Sequence, residues 1–172
     1  TLKAADGATL NFTGMKALSA IPESNSGGAV YVASGGVFTL GGPGSGAINF
    51  TANQASNGGA IFGAYTSSLT LAGGANSFIN NQGRDIGGAI ASFGNVTLSG
   101  GVSSFTGNSS GTNGGAIYST NTITLSGGTN SFTGNSAGSD GGAIYVNNSA
   151  TLTANGGDIT FRGNTAGGQP NA

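Results

Sequence analysis

The chain has 172 residues, of which 36 are Gly and only 5% are charged, and its formal net charge is −1. The hydrophobic fraction of 36% is too high and the charge too low for a disordered chain, and the few cations cannot form the basic surface of a nucleic-acid binder. Without Cys there are no disulfides or thiolate metal sites, and without His the commonest general base and metal ligand are absent.

The first part of the chain departs from the pattern of the rest, and only its sequence LNFTGM is similar to the units that follow. We therefore predict an irregular first coil or cap over residues 1–26. Two stretches break the later spacing: residues 14–26, with Lys16, Pro22 and Glu23, and residues 33–47, with Pro43. Because irregular loops on a regular scaffold commonly carry function, we expect partner contacts in these two stretches.

A motif of the form F-x-x-N recurs from residue 50 to residue 164, and its Phe residues lie 28, 27, 27 and 29 positions apart. Recurrence at a fixed period is the signature of a repeat architecture. Inward Phe is foremost a core residue and Asn a turn residue, so a structural role is favoured for both over direct contact with a receptor. The motif residues are Phe50, Asn53, Phe78, Asn81, Phe105, Asn108, Phe132, Asn135, Phe161 and Asn164.

A second motif, G-G-A-[IV], alternates with the first. Backbone conformations at positive φ explain its double glycines better than phosphate binding, because G-x-x-x-x-G-K-[ST] is absent. The motif residues are Gly27, Gly28, Ala29, Val30, Gly58, Gly59, Ala60, Ile61, Gly87, Gly88, Ala89, Ile90, Gly114, Gly115, Ala116, Ile117, Gly141, Gly142, Ala143 and Ile144. Each period also contains a Thr-Leu pair, at Thr39-Leu40, Thr70-Leu71, Thr97-Leu98, Thr124-Leu125 and Thr151-Leu152.

Each period thus has three apolar stretches of three to five residues, separated by Gly, Asn and Ser. Such stretches are too short and too glycine-rich for helices and indicate strands. We predict an all-β chain that forms a parallel β-helix, or β-solenoid, with about 27 residues and three strands per coil and about 4.8 Å between coils. One coil cannot bury its apolar side alone, which explains why the chain repeats itself.

Strand alternation predicts which side chains point inward. Leu69 and Leu71 face in and Thr70 faces out. In the other strands Val30, Val32, Ile48, Phe50, Ile144, Val146, Ile159 and Phe161 face in, whereas Tyr31, Phe62, Tyr118 and Tyr145 lie outside. Stacking of equivalent positions predicts ladders of Phe, of Ile or Val, of Leu and of Asn. We expect the motif Asn at a turn because Asn tolerates left-handed backbone.

Together, repeated F-x-x-N and G-G-A-[IV] resemble the passenger domains of the chlamydial polymorphic membrane proteins, which are autotransporters of the bacterial surface. The resemblance covers residues 27–164, and residues 1–26 and the sequence GGQP at 167–170 depart from it. It implies a right-handed β-helix, secreted or held at the outer membrane by a separate C-terminal membrane domain, and a role in virulence as an adhesin in host-cell attachment. We treat 1–172 as a single β-helix fragment with regular repeats at 27–164 and a truncated coil at 165–172.

On this reading the chain is a binding module whose partner is a host cell-surface protein or a glycan. Exposed strand edges at the coil ends predict self-association as well. We expect no catalysis, cofactor, metal or nucleic-acid partner. Nor do we expect membrane insertion, because no apolar run reaches the roughly 18 residues of a membrane span.

Two alternatives stay open. Parallel β-helices also host polysaccharide lyases and hydrolases, and Asp85 and Asp140 fall at nearly the same point two coils apart, a separation of about 9.6 Å, with Arg84 as the nearest cation. The second alternative is an ice-binding or glycan-binding face formed by an outward column of Thr70, Thr97, Thr124 and Thr151. Turn preference explains the Asp residues, and the preference of Thr for exposed strands explains the column, without a ligand.

Overall fold

The computed structural model describes residues 1–17, 25–147, 149–167 and 169–170. Within these ranges all regular structure is β-strand, wound into a solenoid of about five turns with about 28 residues per turn, so the predicted fold class is confirmed. No helix in this part of the chain could cross a membrane. Equivalent strands of successive coils pair in parallel and generate four sheets along the solenoid.

The sheet that carries the F-x-x-N phenylalanines, called the Phe sheet, has six strands in spatial order from the first coil to the last. These strands are Thr9–Thr13, Ala47–Thr51, Ala75–Ile79, Val102–Thr106, Thr129–Thr133 and Asp158–Arg162. Their register places each Phe directly beside its counterpart, as in the pairs Phe50↔Phe78 and Phe78↔Phe105.

A second sheet, called the short sheet, lies immediately after each F-x-x-N turn. Its strands are Lys16–Ala17, Gln54–Asn57, Gln82–Ile86, Ser109–Ser110, Ser136–Ala137, Thr165–Ala166 and Gln169–Pro170. The prediction of three strands per coil is therefore wrong by one. These strands are as short as two residues and are polar, so they lack the apolar alternation that marks a strand in sequence.

The remaining two sheets follow the double glycines. The Ile sheet contains Val30–Val32, Ile61–Gly63, Ile90–Ser92, Ile117–Ser119 and Ile144–Val146. The Thr-Leu sheet contains Val37–Leu40, Ser68–Leu71, Asn95–Leu98, Ile123–Leu125 and Leu152–Ala154. Leu69 and Leu71 are buried between the sheets and Thr70 is not, as alternation predicts.

The core consists of columns of identical or similar side chains. Six phenylalanine rings, from Phe12 to Phe161, stack face to face with centroid separations of 4.7 to 5.0 Å. This spacing matches the distance between hydrogen-bonded strands, so the backbone register sets the ring stacking. The four middle rings, Phe50, Phe78, Phe105 and Phe132, are completely buried.

The first coil is more regular than the sequence predicts. Strand Thr9–Thr13 pairs with Ala47–Thr51 in full register, and Phe12 stacks on Phe50 at 4.8 Å. Leu2 forms a bridge with Leu40 beneath the Thr-Leu sheet. The sequence LNFTGM is thus a complete ladder rung in which Met15 replaces the motif Asn, and the ten extra residues before Phe50 disguise the repeat. Most of the predicted loop 14–26, including Pro22 and Glu23, lies outside the described residues.

At the other end of the solenoid the last coil is open. Phe161 stacks on Phe132 but remains 52% exposed, because no further coil covers it. Leu152 is exposed for the same reason. The chain then folds back, and strand Gln169–Pro170 pairs in antiparallel fashion with Thr165–Ala166, along the outer edge of the short sheet.

The turn of the F-x-x-N motif uses left-handed backbone one residue earlier than predicted. The left-handed residue precedes the motif Asn and is Gly in most coils, with φ of 60° to 65° at Gly14, Gly107, Gly134 and Gly163. Ala52 and Asn80 occupy this position in two coils, with φ of 54° and 52°. The motif Asn itself does not have left-handed backbone. The reason that Asn occupies this position must therefore lie in its side chain.

That side chain forms a continuous buried ladder. The Oδ1 atom of Asn108 accepts hydrogen bonds from the backbone N and the Nδ2 of Asn81, both at 3.0 Å. Its Nδ2 donates to the carbonyl oxygen of Phe78 at 3.0 Å and to Oδ1 of Asn135 at 2.9 Å. All four hydrogen-bonding positions of the amide are therefore used. Equivalent bonds link Asn53 to Asn81 and link Asn135 to Asn164.

The two residues of each double glycine are required for different reasons. The first, as at Gly58, has a positive φ of 60° to 72°, as predicted. The second, as at Gly59, has ordinary backbone, but a Cβ atom there would overlap the carbonyl oxygen of Gly88 in the next coil. Close stacking of coils, and not φ, therefore requires the second glycine.

The Thr column on the outer side of the Thr-Leu sheet is shifted in the last coil. The register pairs Thr124 with Thr153 and Ile123 with Leu152. Thr153 therefore completes the column, and Thr151 does not belong to it, contrary to the prediction. The Thr-Leu pair of the last coil is thus displaced by two residues along the strand. A shift of two residues preserves the inward and outward alternation, so the polarity pattern of the sequence does not reveal it.

We expect Phe105→Ala to lower the free energy of unfolding by about 3–5 kcal/mol, because the ring is fully buried between Phe78 and Phe132. Phe161→Ala is the matched control and should cost clearly less, since that ring is half exposed and has one stacking neighbour. Urea denaturation monitored by circular dichroism measures both. Equal losses for the two variants would contradict the ladder as the main source of stability.

Ala52→Gly should raise the free energy of unfolding by about 1 kcal/mol, because an L side chain at a φ of 54° is strained. The reverse change at the equivalent position, Gly134→Ala, should lower it by a similar amount, since a Cβ atom there meets no other atom within 4 Å. Thermal melting of both variants tests the pair. Shifts of the same sign would show that left-handed strain does not govern this turn.

Asn108→Asp preserves the size of the side chain but removes both Nδ2 donors, so a buried carboxylate oxygen would face two acceptors. We expect a loss of about 3–5 kcal/mol at pH 7. Burial and the facing oxygens raise the folded-state pKa of such a group above its unfolded value of about 3.9, so the loss should shrink as the pH falls below the folded-state pKa and should be smallest below about pH 4.

The control for this variant is Asn49→Ala, which removes an Asn–Asn hydrogen bond at the surface, 2.9 Å from Nδ2 of Asn49 to Oδ1 of Asn11. We expect a change within about 0.5 kcal/mol. Urea denaturation at pH 7 and at pH 3.5 gives both values. A loss at Asn108 that is small, or that does not depend on pH, would contradict the role of the Nδ2 donors.

Candidate functional site

The residues of the two repeat motifs lie inside the solenoid, apart from Phe161 in the open last coil, which is half exposed. The four Asn residues from Asn53 to Asn135 are completely buried, and Asn164 is 5% exposed. The Ala and Ile side chains of the G-G-A-[IV] motif belong to the hydrophobic core, completely buried in the middle coils. In the folded chain these side chains can hold the scaffold together, and contact with a partner has to come from other residues.

The two carboxylates considered for catalysis are exposed and do not stack on each other. Thr112 N donates to the carbonyl oxygen of Asp85, and Ser139 N donates to that of Thr112, so Asp85 aligns with Ser139 two coils later. Asp140 is equivalent to Asn113 instead, one position further along the coil. In the described part of the chain no three Asp, Glu, His or Cys residues come close enough to hold a metal ion.

Aromatic side chains form a continuous strip along the outside of the Ile sheet. This aromatic strip consists of Tyr31, Phe62, Tyr65, Phe93, Tyr118 and Tyr145. Tyr31 stacks on Phe62 at 5.5 Å, and Tyr118 stacks on Tyr145 at 5.4 Å. The strip is separate from the core ladder, so the predicted outward direction of Tyr31, Phe62, Tyr118 and Tyr145 is confirmed.

In the middle of the strip, Phe93 connects Phe62 to Tyr118 although it is not aligned with either of them in the strand register. Strand register aligns Phe62 with Ala91 and Ala91 with Tyr118, which would leave a gap of one coil. Phe93, two residues after Ala91, fills this gap and packs edge-on against Phe62 at 5.4 Å and Tyr118 at 6.4 Å. Tyr65 packs on Phe93 at 5.0 Å. These contacts bury Phe62 to 6% exposure, although the sequence predicts an exposed ring.

A groove of about 500 Å³ opens at the N-terminal end of the strip. The rings of Tyr31 and Tyr65, which are 59% and 67% exposed, stand at its sides, and Phe62 and Phe93 contribute the apolar surface between them. The other lining residues are small or polar, namely Ser26, Ser34, Asn57 and Ala64. The groove thus combines aromatic faces with hydroxyl and amide groups, and none of the described residues in its lining is charged.

Burial raises the pKa of the Tyr118 phenol above its ordinary value, and the neighbouring Tyr145 and Tyr65 add to the increase. The phenol therefore remains protonated at neutral pH and is available as a hydrogen-bond donor.

Sequence reasoning identified four members of the strip and missed two. Phe93 could have been found, because it lies two residues after the outward Ala91 and so has the same orientation. Tyr65 follows the end of strand Ile61–Gly63, outside the repeat motifs, and no periodic pattern marks it. The groove combines residues from both predicted contact stretches, Ser26 and Ser34, which are separated in the sequence and meet through coil stacking.

Comparison with known protein families gives one match. The Chlamydia polymorphic membrane protein repeat matches residues 102–120 and residues 131–147. Each matched segment contains one whole F-x-x-N motif and one complete G-G-A-I sequence. It therefore spans the Phe ladder, the Asn ladder and the glycine stacking of one coil. No curated protein and no solved structure matches the chain significantly.

The two matched segments are consecutive coils of the solenoid, and their strands pair with each other in register, as in Phe105↔Phe132 and Ile117↔Ile144. The coils on either side continue the Phe column in the same register, as in Phe78↔Phe105 and Phe132↔Phe161. The resemblance found in the sequence is thereby confirmed for two consecutive coils, which match the repeat of the Chlamydia polymorphic membrane proteins.

Proposed function

We propose that this chain is part of a bacterial surface adhesin that uses its β-solenoid to present a binding face to a host-cell protein or glycan. The family repeat supports a place at the outer membrane or cell surface. The stacked coils support an extended scaffold, since each coil contacts its neighbours and the same lateral face continues along the solenoid. The two Asp residues considered for catalysis offer no stacked pair, which favours a binding role over an enzymatic one.

The aromatic strip is the observation that carries the proposal. The solenoid buries the phenylalanines of its middle coils in the core ladder, yet it keeps Tyr31 and Tyr65 more than half exposed in the lining of one groove. Aromatic residues are enriched at binding surfaces, because a ring offers a large apolar area and a Tyr hydroxyl adds a hydrogen bond. Side chains this exposed contribute little to the stability of a fold, whereas attachment to a partner would use them.

A cell-binding assay tests the proposal. The fluorescently labelled chain should bind host epithelial cells in a saturable manner that the unlabelled chain competes away. The double variant Tyr31→Ser/Tyr65→Ser should lose most of this binding while its melting temperature stays close to that of the parent, since both side chains are exposed.

The matched control is Val37→Ser/Val102→Ser, which removes two exposed apolar side chains from other faces of the solenoid. This variant should bind cells like the parent. Absence of saturable binding by the parent chain would contradict the adhesin proposal, and equal losses in both variants would show that general surface hydrophobicity causes the binding.

A further inference from the structure

We infer that the groove between Tyr31 and Tyr65 is a binding site for a short, uncharged oligosaccharide. This inference rests on the proposed function, and it assigns the ligand class and the residues that the adhesin proposal leaves open. Four properties of the groove support it: the arrangement of its rings, the chemistry of its polar groups, the lack of charge among its described lining residues, and its size.

The rings provide flat apolar surfaces that match one side of a sugar. A pyranose ring has a face of C–H groups and a rim of hydroxyls, so it packs on an aromatic ring when that ring is exposed and held in position. Tyr31 is held by stacking on Phe62, with an angle of 21° between the planes, and Tyr65 is held against Phe93 at 5.0 Å. Both nevertheless keep more than half of their surface exposed. Rings fixed in this way lose little conformational entropy on binding.

The polar groups of the groove suit sugar hydroxyls. Asn57 Nδ2 donates to Ser26 Oγ over 3.4 Å, a long hydrogen bond, and Oδ1 of Asn57 has no hydrogen bond to another described residue. The Ser34 hydroxyl and the phenols of Tyr31 and Tyr65 likewise have no partner among the described side chains. Amides and hydroxyls both donate and accept, which matches the mixed donor and acceptor character of a sugar hydroxyl.

The absence of charge from the lining selects against acidic glycans. Sialic acid and sulfate groups are bound best by Arg or Lys, which form charge-assisted hydrogen bonds. Among the described residues, no Lys, Arg, Asp or Glu lines the groove. Desolvation of an anion here would therefore have no compensation, and a neutral sugar is favoured.

The size of the groove favours a small ligand over a folded protein. Its volume of about 500 Å³ lies in the ordinary range of small-molecule sites. A specific protein partner commonly covers about 800 Å² on each side, far more than one such groove offers. Pro-rich peptides also dock in aromatic grooves, so a peptide segment of a host protein is the competing occupant.

Direct binding of defined sugars tests the inference. We would titrate the intact chain with fluorescent neutral oligosaccharides of galactose, mannose and N-acetylglucosamine, and with their sialylated and sulfated counterparts, and follow fluorescence anisotropy. At least one neutral sugar should bind, and its acidic counterpart should bind more weakly. Tyr65→Ala should weaken that binding at least about tenfold, whereas Tyr65→Phe should retain most of it, because stacking needs the ring and not the hydroxyl.

Tyr145→Ala is the matched control, since this tyrosine belongs to the same strip but does not line the groove. It should leave sugar binding unchanged. Binding of acidic sugars alone, or equal losses in Tyr65→Ala and Tyr145→Ala, would overturn the inference.

A second measurement separates failure of this inference from failure of the adhesin proposal. Host cells treated with glycosidases should lose binding of the chain, and cells treated briefly with protease under conditions that spare glycolipids should retain part of it. Saturable cell binding that survives deglycosylation, with no sugar bound in solution, would overturn the sugar site and leave a protein-binding adhesin. Absence of both kinds of binding would overturn both proposals.

Discussion

The structure depends on the parallel register between successive coils. Each strand pairs with its counterpart about 28 residues away, so equivalent residues lie side by side at the spacing of a β-sheet. At this distance Phe rings stack face to face, and an Asn amide can bond both the coil before and the coil after. The Asn ladder then makes the register specific, because a slip of one residue would bury unpaired amide and backbone groups.

The same register produces two opposite uses of aromatic residues. Inside the solenoid it aligns identical phenylalanines into a closed column that stabilises the fold. Outside, on the Ile sheet, it aligns Tyr31 with Phe62 and Tyr118 with Tyr145 in a column separate from the core. A single periodic sequence therefore yields both a core and an exposed strip. The irregular residues Phe93 and Tyr65 widen that strip into a groove.

The stacking of coils also determines which positions tolerate a change of residue and which do not. The second glycine of each pair and the motif Asn contact the next coil through the backbone or a buried amide, so a change there affects two coils at once. Outward positions carry no such constraint, as the different residues paired at Thr106↔Ile79 indicate. A family built on this unit can therefore diversify its lateral faces and keep its scaffold.

The sequence by itself determined the repeat period, the parallel β-solenoid and the inward direction of Phe50, Leu69 and Leu71, because these follow from local alternation and from recurrence of whole motifs. It also indicated the family. Only the tertiary structure decided the fourth strand of each coil, the place of the left-handed residue before each motif Asn, and the shift that brings Thr153 beside Thr124. It alone showed the groove, because Ser26, Tyr31, Asn57 and Tyr65 meet through coil stacking, and no pattern within one repeat encodes a contact between non-equivalent residues of different coils.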